Sequence, residues 1–127
     1  MAISNVTEGK TQSAIKNIDK SAKIFTSLGK EYQAAQTQVS KLYALALLGN
    51  YDEAVDCGKA ALKIFEKYKD ELSAGKIENN IGNIYWRREI HDKAEKQFLS
   101  ARKRFIKIND LTQLTMIEHC LATSFAY

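Results

Sequence analysis

The feature of this sequence that most constrains its fold is an internal repeat with a period of 40 residues. Phe25, Phe65 and Phe105 follow one another at this interval. Two further series keep the same spacing: Ala14, Ala54 and Ala94, and Lys23, Lys63 and Lys103. A chain that repeats at such a period builds one supersecondary unit several times, and neighbouring units bury a shared core. We therefore expect an array of repeats.

Each repeat reads as two amphipathic helices joined by a tight turn. The 127 residues contain no proline and only six glycines, whereas β-rich folds use both residues in their turns. Apolar periodicity and turn signals predict six helices: Glu8–Leu28, Lys30–Leu48, Asp52–Lys69, Glu71–Arg88, Asp92–Lys107 and Leu111–Tyr127. The predicted fold is an all-α solenoid of antiparallel helices, divided into a half repeat (8–29), full repeats (30–69 and 70–109) and a half repeat (110–127).

These repeats resemble the tetratricopeptide repeat family. The matching residues in the third period are Gly82, Tyr85, Ala94, Phe98 and Ala101; those in the second are Leu42, Leu45, Gly49, Tyr51, Ala54 and Ala61. The period is longer than the family's usual value of about 34 residues, and the proline that often closes a repeat is absent. The pattern is similar to the extended repeats of many signalling and scaffold proteins. The resemblance implies a protein-interaction scaffold.

The stretch "NNIGNIYWRRE", Asn79–Glu89, places three asparagines within a predicted helix. Asparagine is a weak helix former because its side chain competes for backbone hydrogen bonds. At about 100° per residue the isoleucines gather on one side, and Asn79 and Asn83 gather with Lys76 and Arg87 on the other. Gly82 lies where a partner helix could approach closely. The asparagine side is expected to recognise a ligand.

The resemblance places the first helix of each repeat along a concave groove. It implies the following partner-binding residues: Gln36, Tyr43, Lys76, Asn79, Asn83, Trp86, Arg87, His119, Thr123 and Tyr127. Such a mixture of amide, cationic and aromatic groups suits an extended peptide or a partner helix that carries acidic and hydrophobic residues. Some family members hold a terminal carboxylate in a clamp of Lys, Asn and Arg. Asn83 fits that clamp, but Val39 replaces its lysine, so a complete clamp is not predicted.

Several alternatives remain open from the sequence. Asn79 and Asn83 could be solvated or could bond to the next hairpin, and Trp86 could belong to the core. The apolar end "LATSFAY" predicts that the chain is a fragment of a larger protein, where its repeats could be a structural or regulatory segment without a ligand of their own. The last helix is also expected to promote self-association through an apolar face. That face comprises Leu114, Ile117, Leu121 and Phe125.

Charge and composition bear on other classes of function. The net charge of +4 and pI near 9.0 make nucleic acid a minor alternative partner, through basic residues expected on a solvated convex face. Those residues are Lys59, Lys63, Lys67, Lys93, Lys96, Arg102, Lys103 and Arg104.

The sequence gives no sign of a catalytic or metal site. His119 and Cys120 point to different helix faces, and no phosphate loop or metal-ligand spacing is present. We expect no enzyme, no cofactor and no metal. Cys57 and Cys120 are expected to be free thiols. Because the sequence shows neither a secretion signal nor an apolar run of about 20 residues, the chain is expected to be cytoplasmic.

Overall fold

A computed structural model describes residues 2–125 of the chain, with side chains for 9–123. These residues form six helices: α1 (Ala2–Ser27), α2 (Glu31–Leu47), α3 (Tyr51–Lys67), α4 (Glu71–Arg87), α5 (His91–Lys107) and α6 (Leu111–Phe125). No strand occurs within the described range, which confirms the all-α prediction. The chain divides into two compact units, Met1–Ile64 (unit 1) and Phe65–Tyr127 (unit 2).

The predicted helix boundaries agree with the structure to within two residues for α2, α3, α4 and α5. The prediction for α1 is wrong, because the helix begins at Ala2 and not at Glu8. No proline interrupts residues 2–8, so a helix can extend towards the N-terminus through this stretch. The predicted end of the last helix at Tyr127 lies outside the described residues.

All five turns between helices use the same backbone geometry. A residue with positive φ occurs at every twentieth position: Gly29, Gly49, Lys69, Glu89 and Asn109. After α3, the N–H of Asp70 donates to the carbonyl oxygen of Phe65 at 2.9 Å, and equivalent bonds close the other four turns. These are the hydrogen bonds of a Schellman motif, which pairs the last carbonyls of a helix. Backbone bonds therefore close every hairpin, even where Lys69 and Glu89 replace glycine.

The core of unit 2 is built by two phenylalanines of α5 that lie against two glycines of α4. A Cβ atom added at Gly82 would come within 2.6 Å of Phe98 Cε1, and one added at Gly75 within 2.5 Å of Phe105 Cε1. Both rings are almost fully buried. The close helix approach predicted at Gly82 is confirmed, and Gly75 provides a second such approach two turns earlier.

Unit 1 follows the same plan with different residue sizes. α1 packs against α2, and α3 is joined to α2 by the Cys57 thiol, which donates to Gln38 Oε1 at 2.9 Å. At the positions that correspond to Gly82 and Phe98, unit 1 has Leu42 and Gly58, both buried. The larger residue is therefore on the first helix in this repeat and on the second helix in the next.

Candidate protein-interaction surface

The first helices of the repeats, α2, α4 and α6, each carry a row of side chains at about one residue per turn. We call these residues the first-helix stripe: Gln36, Val39, Tyr43 and Leu47 on α2, Lys76, Asn79, Asn83 and Arg87 on α4, and Met116, His119 and Thr123 on α6. None of these residues is acidic. Tyr127, the remaining predicted site residue of this row, lies outside the described residues, and Trp86 borders the row on α4.

On α2, in unit 1, the stripe is open to solvent. Gln36 and Tyr43 are exposed, and Leu47, one turn beyond Tyr43, is 79% exposed. The adjacent side of the same helix is buried at Ala35 and Leu42. Tyr43 and Leu47 thus place two exposed apolar side chains one turn apart on a helix whose adjacent side is buried.

On α4, in unit 2, the stripe is exposed at its two ends. Lys76 and Arg87 are exposed, whereas Asn83 and Trp86 are partly buried. The two cations are separated by three helical turns. They can therefore attract acidic groups at two separate points along the helix, with amide and indole groups between them.

Asn79 differs from the exposed surface position expected from the sequence. Its side chain is buried, with 6% of its surface accessible, and its Oδ1 atom has no hydrogen-bond partner among the described residues. The expectation that this residue is openly presented is wrong, because α4 is covered around most of its circumference and buries nine of its residues. A buried amide oxygen without a partner lowers the stability of the fold. Packing alone therefore does not explain why this position carries a polar side chain.

On α6, also in unit 2, His119 is exposed and Thr123 is partly buried. The Thr123 hydroxyl donates to the carbonyl oxygen of His119 at 3.0 Å. His119 and Met116 line an open and mostly apolar cleft of about 690 Å³, together with Thr112, Thr115 and Cys120. The structure thus places the α4 and α6 site residues in unit 2, and Gln36 and Tyr43 in unit 1.

Arg104 is the principal charged residue whose role the sequence did not reveal. It was expected on a solvated face, but its guanidinium contacts three carboxylates within unit 2: Glu78 Oε1 at 2.5 Å, Glu66 Oε2 at 3.0 Å and Glu71 Oε1 at 3.5 Å. Ser100 also donates to the buried Glu78. Burial disfavours the charged form of Arg104, but the hydrogen bonds that it donates to the carboxylates of Glu66 and Glu78 outweigh this effect and raise the guanidinium pKa. The only sequence signal was the spacing of Glu71 and Glu78, which puts both on one side of α4.

The other basic residues of the second helices are exposed as expected: Lys59, Lys63, Lys67, Lys93, Lys96, Arg102 and Lys103. Arg102 pairs with Glu118 of α6. The Arg102 side chain lies only two positions from Arg104 but is 44% exposed. Surface ion pairs of this kind contribute little to stability.

A polar cluster in unit 1 also escaped the sequence reasoning. Lys41 Nζ contacts Asp19 Oδ1 at 2.9 Å, and the hydrogen bond to this carboxylate raises the lysine pKa. Gln38 and Lys41 line two open clefts of about 460 and 300 Å³. Burial raises the pKa of the neighbouring Cys57 thiol to about 11. At neutral pH this thiol is protonated, the opposite of the state that nucleophilic chemistry requires.

Cys57 and Cys120 are both free and partly buried, in agreement with the prediction. Burial also raises the pKa of Cys120, next to His119. No group of three or more His, Cys, Asp or Glu residues suited to a metal ion occurs within the described part of the chain. Over the same residues, no helix combines the length and the apolar character needed to cross a membrane.

The repeated hairpins and the contacts between their glycines and phenylalanines define a helical repeat protein. Residues 33–107, more than half of the chain, match the tetratricopeptide repeat model. The chain therefore belongs to the tetratricopeptide repeat family, as its sequence pattern indicated, and the family's general role is that of a scaffold for protein–protein interaction. A comparison with curated protein sequences finds no significant match.

Proposed function

We propose that this chain binds an extended or helical segment of a partner protein through the first-helix stripe, without catalysing a reaction. The observation that carries the proposal is the exposure of one repeat position on every first helix: Gln36, Lys76 and Met116 are all exposed. Each lies next to a buried residue on its helix or faces an open cleft. Within unit 2, where both α4 and α6 carry this position, a recurring surface is able to accept an elongated ligand.

The chemistry of the stripe indicates the character of the partner. Lys76 and Arg87 supply positive charge that no acidic stripe residue offsets. Tyr43 and Leu47 supply exposed apolar area. Acidic residues of a partner would satisfy the first group and hydrophobic residues the second, since opposite charge favours encounter and apolar contact holds a complex.

Asn79 and Asn83 have a specific place in this proposal. The unpartnered Oδ1 of Asn79 and the partly accessible amide of Asn83 lie between the two cations along α4. An amide offers both a donor and an acceptor, which matches the backbone of an extended peptide. Partner binding that rearranges the Asn79 amide would remove the energetic cost of its unpaired oxygen.

The test measures binding of a set of synthetic peptides that differ in charge and apolar content. We expect acidic, hydrophobic peptides to bind, and Arg87→Ala and Lys76→Ala to weaken them about tenfold each, as for hydrogen bonds to charged groups. Lys93→Ala and Lys96→Ala remove the same charge from exposed positions on α5 and serve as matched controls. Helix content and thermal unfolding should be unchanged, since exposed substitutions alter stability by only about 0.5 kcal/mol.

Four outcomes would contradict the proposal. Equal loss of binding in the α5 control variants would indicate nonspecific charge attraction. Peptide binding that is unaffected by all four substitutions would place the site elsewhere. Steep weakening with salt, together with binding of nucleic acid, would favour the basic second helices. If no peptide binds at all, the alternative of a structural or regulatory segment in a larger protein gains support.

A further inference from the structure

The apolar face predicted for self-association on α6 is not open to a partner. Ile117 and Leu121 are buried, and α6 packs against α5. The prediction that they are exposed is wrong, and the side chain of Phe125 lies outside the described residues. In the first helices of unit 2, the exposed cations that have no partner among the described residues lie on α4 instead, at Lys76 and Arg87.

Lys76 and Arg87 lie in one row along α4, which is continuous from Glu71 to Arg87. They are eleven positions apart, and this is close to three full turns, so they lie within about 20° of each other around the helix axis. At 1.5 Å per residue, their Cα atoms are separated by about 16 Å along the helix. Asn83 lies in the same row, within about 40° of both cations. The helix backbone therefore fixes the distance between the two positive charges.

The row keeps its positive charge because the acidic residues of α4 are used elsewhere. Glu71 and Glu78 both contact the guanidinium of Arg104 on α5. They lie about 140–160° from Lys76 around the helix axis. No carboxylate of the same helix therefore neutralises the two cations.

The amides between the cations indicate the backbone conformation of the ligand. Asn79 Oδ1 is buried without a partner among the described residues, and the Asn83 side chain is partly accessible. An amide oxygen accepts hydrogen bonds from N–H groups. In a helical ligand the backbone N–H groups beyond the first turn are already bonded within the helix, whereas an extended segment leaves its N–H groups free. The amides therefore favour an extended segment over a partner helix.

We propose that the α4 row selects extended segments that carry two acidic side chains on one face, four or six positions apart. An extended chain rises about 3.3 Å per residue, and its side chains alternate between two faces. Spacings of four and six positions correspond to about 13 and 20 Å. These values lie on either side of the 16 Å between the cations, within the reach of the flexible Lys and Arg side chains.

A spacing of five positions has the right length but directs the two acidic side chains to opposite faces of the segment. Both anions are side chains, so the selection needs no free C-terminus. This selection rests on the proposed function and adds the spacing that determines which acidic segments bind.

The test measures the affinity of the 127-residue chain for acetylated and amidated peptides by fluorescence anisotropy. The peptides share one composition and carry two glutamates that are two, four, five, six or eight positions apart. We expect spacings of four and six to bind about tenfold more tightly than the others, because the other spacings engage one cation at a time. A peptide with a single glutamate gives the reference affinity for one contact.

Substitutions on α4 assign the preference to the row. Lys76→Ala and Arg87→Ala should each make all spacings equal, whereas Lys96→Ala, which removes an exposed lysine of α5, should retain the preference. Circular dichroism checks that each variant is folded. Equal affinity for all spacings, still weakened by both α4 substitutions, would overturn the spacing rule and leave the proposed function standing. Absence of binding by every peptide would overturn both.

Three other results would also overturn the spacing rule. One is a preference for certain spacings that survives both α4 substitutions. Another is tighter binding of a helix-stabilised peptide with glutamates eleven positions apart, which would assign the row to a partner helix. The third is competition by a single-stranded oligonucleotide that depends on Lys76 and Arg87, which would assign the row to phosphate groups.

Discussion

The close approach of α4 and α5 predicts that Gly82 cannot accept even one additional methyl group without cost. A Cβ atom at this position would come within 2.6 Å of Phe98 Cε1 and 2.8 Å of Cδ1. The ring is 1% exposed and surrounded by core residues, so it cannot swing into solvent. Overpacking of this kind costs about 1–3 kcal/mol. Alanine in a helix interior recovers about 1 kcal/mol relative to glycine, so Gly82→Ala is expected to destabilise unit 2 by about 0–2 kcal/mol.

The control for this prediction is Gly9→Ala in α1. Gly9 has no atom within 4 Å of an added Cβ, so the same substitution there should stabilise the chain by up to about 1 kcal/mol. The difference between the two variants, about 1–3 kcal/mol, isolates the cost of overpacking. It is measured by urea unfolding followed by circular dichroism, with Gly82→Leu expected to be less stable than Gly82→Ala.

A double mutant identifies the cause of the effect. In a Phe98→Leu background the ring is absent, and Gly82→Ala should lose most of its penalty. Equal free energies of unfolding for Gly82→Ala and Gly9→Ala would refute the reasoning, since they would mean that Phe98 does not restrict the space at Gly82. A full penalty that persists in the Phe98→Leu background would assign the cost to another neighbour.

Three further predictions concern charged and polar groups. Arg104→Ala leaves the buried Glu78 carboxylate without its cation and should lower the free energy of unfolding by about 3 kcal/mol, whereas Arg102→Ala, at an exposed pair, should lower it by about 0–1 kcal/mol. Similar values for the two variants in urea unfolding would contradict the argument from burial. Asn79→Leu replaces a buried amide by a side chain of similar shape and removes its unpaired oxygen, so the melting temperature should stay unchanged or rise while partner binding weakens. A fall in melting temperature would show that the amide is structurally paired. Burial raises the pKa of Cys57 from 9.0 in the unfolded chain to about 11. The difference in free energy of unfolding between the wild type and Cys57→Ala should therefore be constant below pH 9 and decline as the pH rises towards 11. A difference that does not depend on pH would exclude this linkage.

The repeat and the helix pattern were readable from the sequence because they depend on local rules. Apolar residues at helical spacing, the absence of proline and the 40-residue interval together specified six helices and their turns. Gly82 was identified for the same reason, since a glycine within an apolar helix face signals close approach. Gly75 follows the same rule two turns earlier. The division into one repeat domain with half repeats at each end, and a cytoplasmic location, stay predictions.

The surface was only partly predictable, because burial depends on which other helices cover a face. Winding a single helix placed Asn79 on an exposed polar side, yet α4 is covered around most of its circumference and the amide is buried. Lys76 and Arg87 lie on the same side of α4 and are exposed. Periodicity defines the sides of a helix but not the number of neighbours that each side meets.

Arg104 shows the same distinction for charge. In the sequence it belongs to the run "ARKRF" and cannot be told from Arg102, since both are arginines on one helix. Tertiary structure brings Arg104 to Glu66, Glu71 and Glu78 and leaves Arg102 at the surface. The sequence by itself determined the repeat, the helices and the class of protein, because these follow from local conformational preference and apolar spacing. Only the tertiary structure decided which polar groups are buried, because an ion pair between residues up to 38 positions apart forms only after the helices have packed.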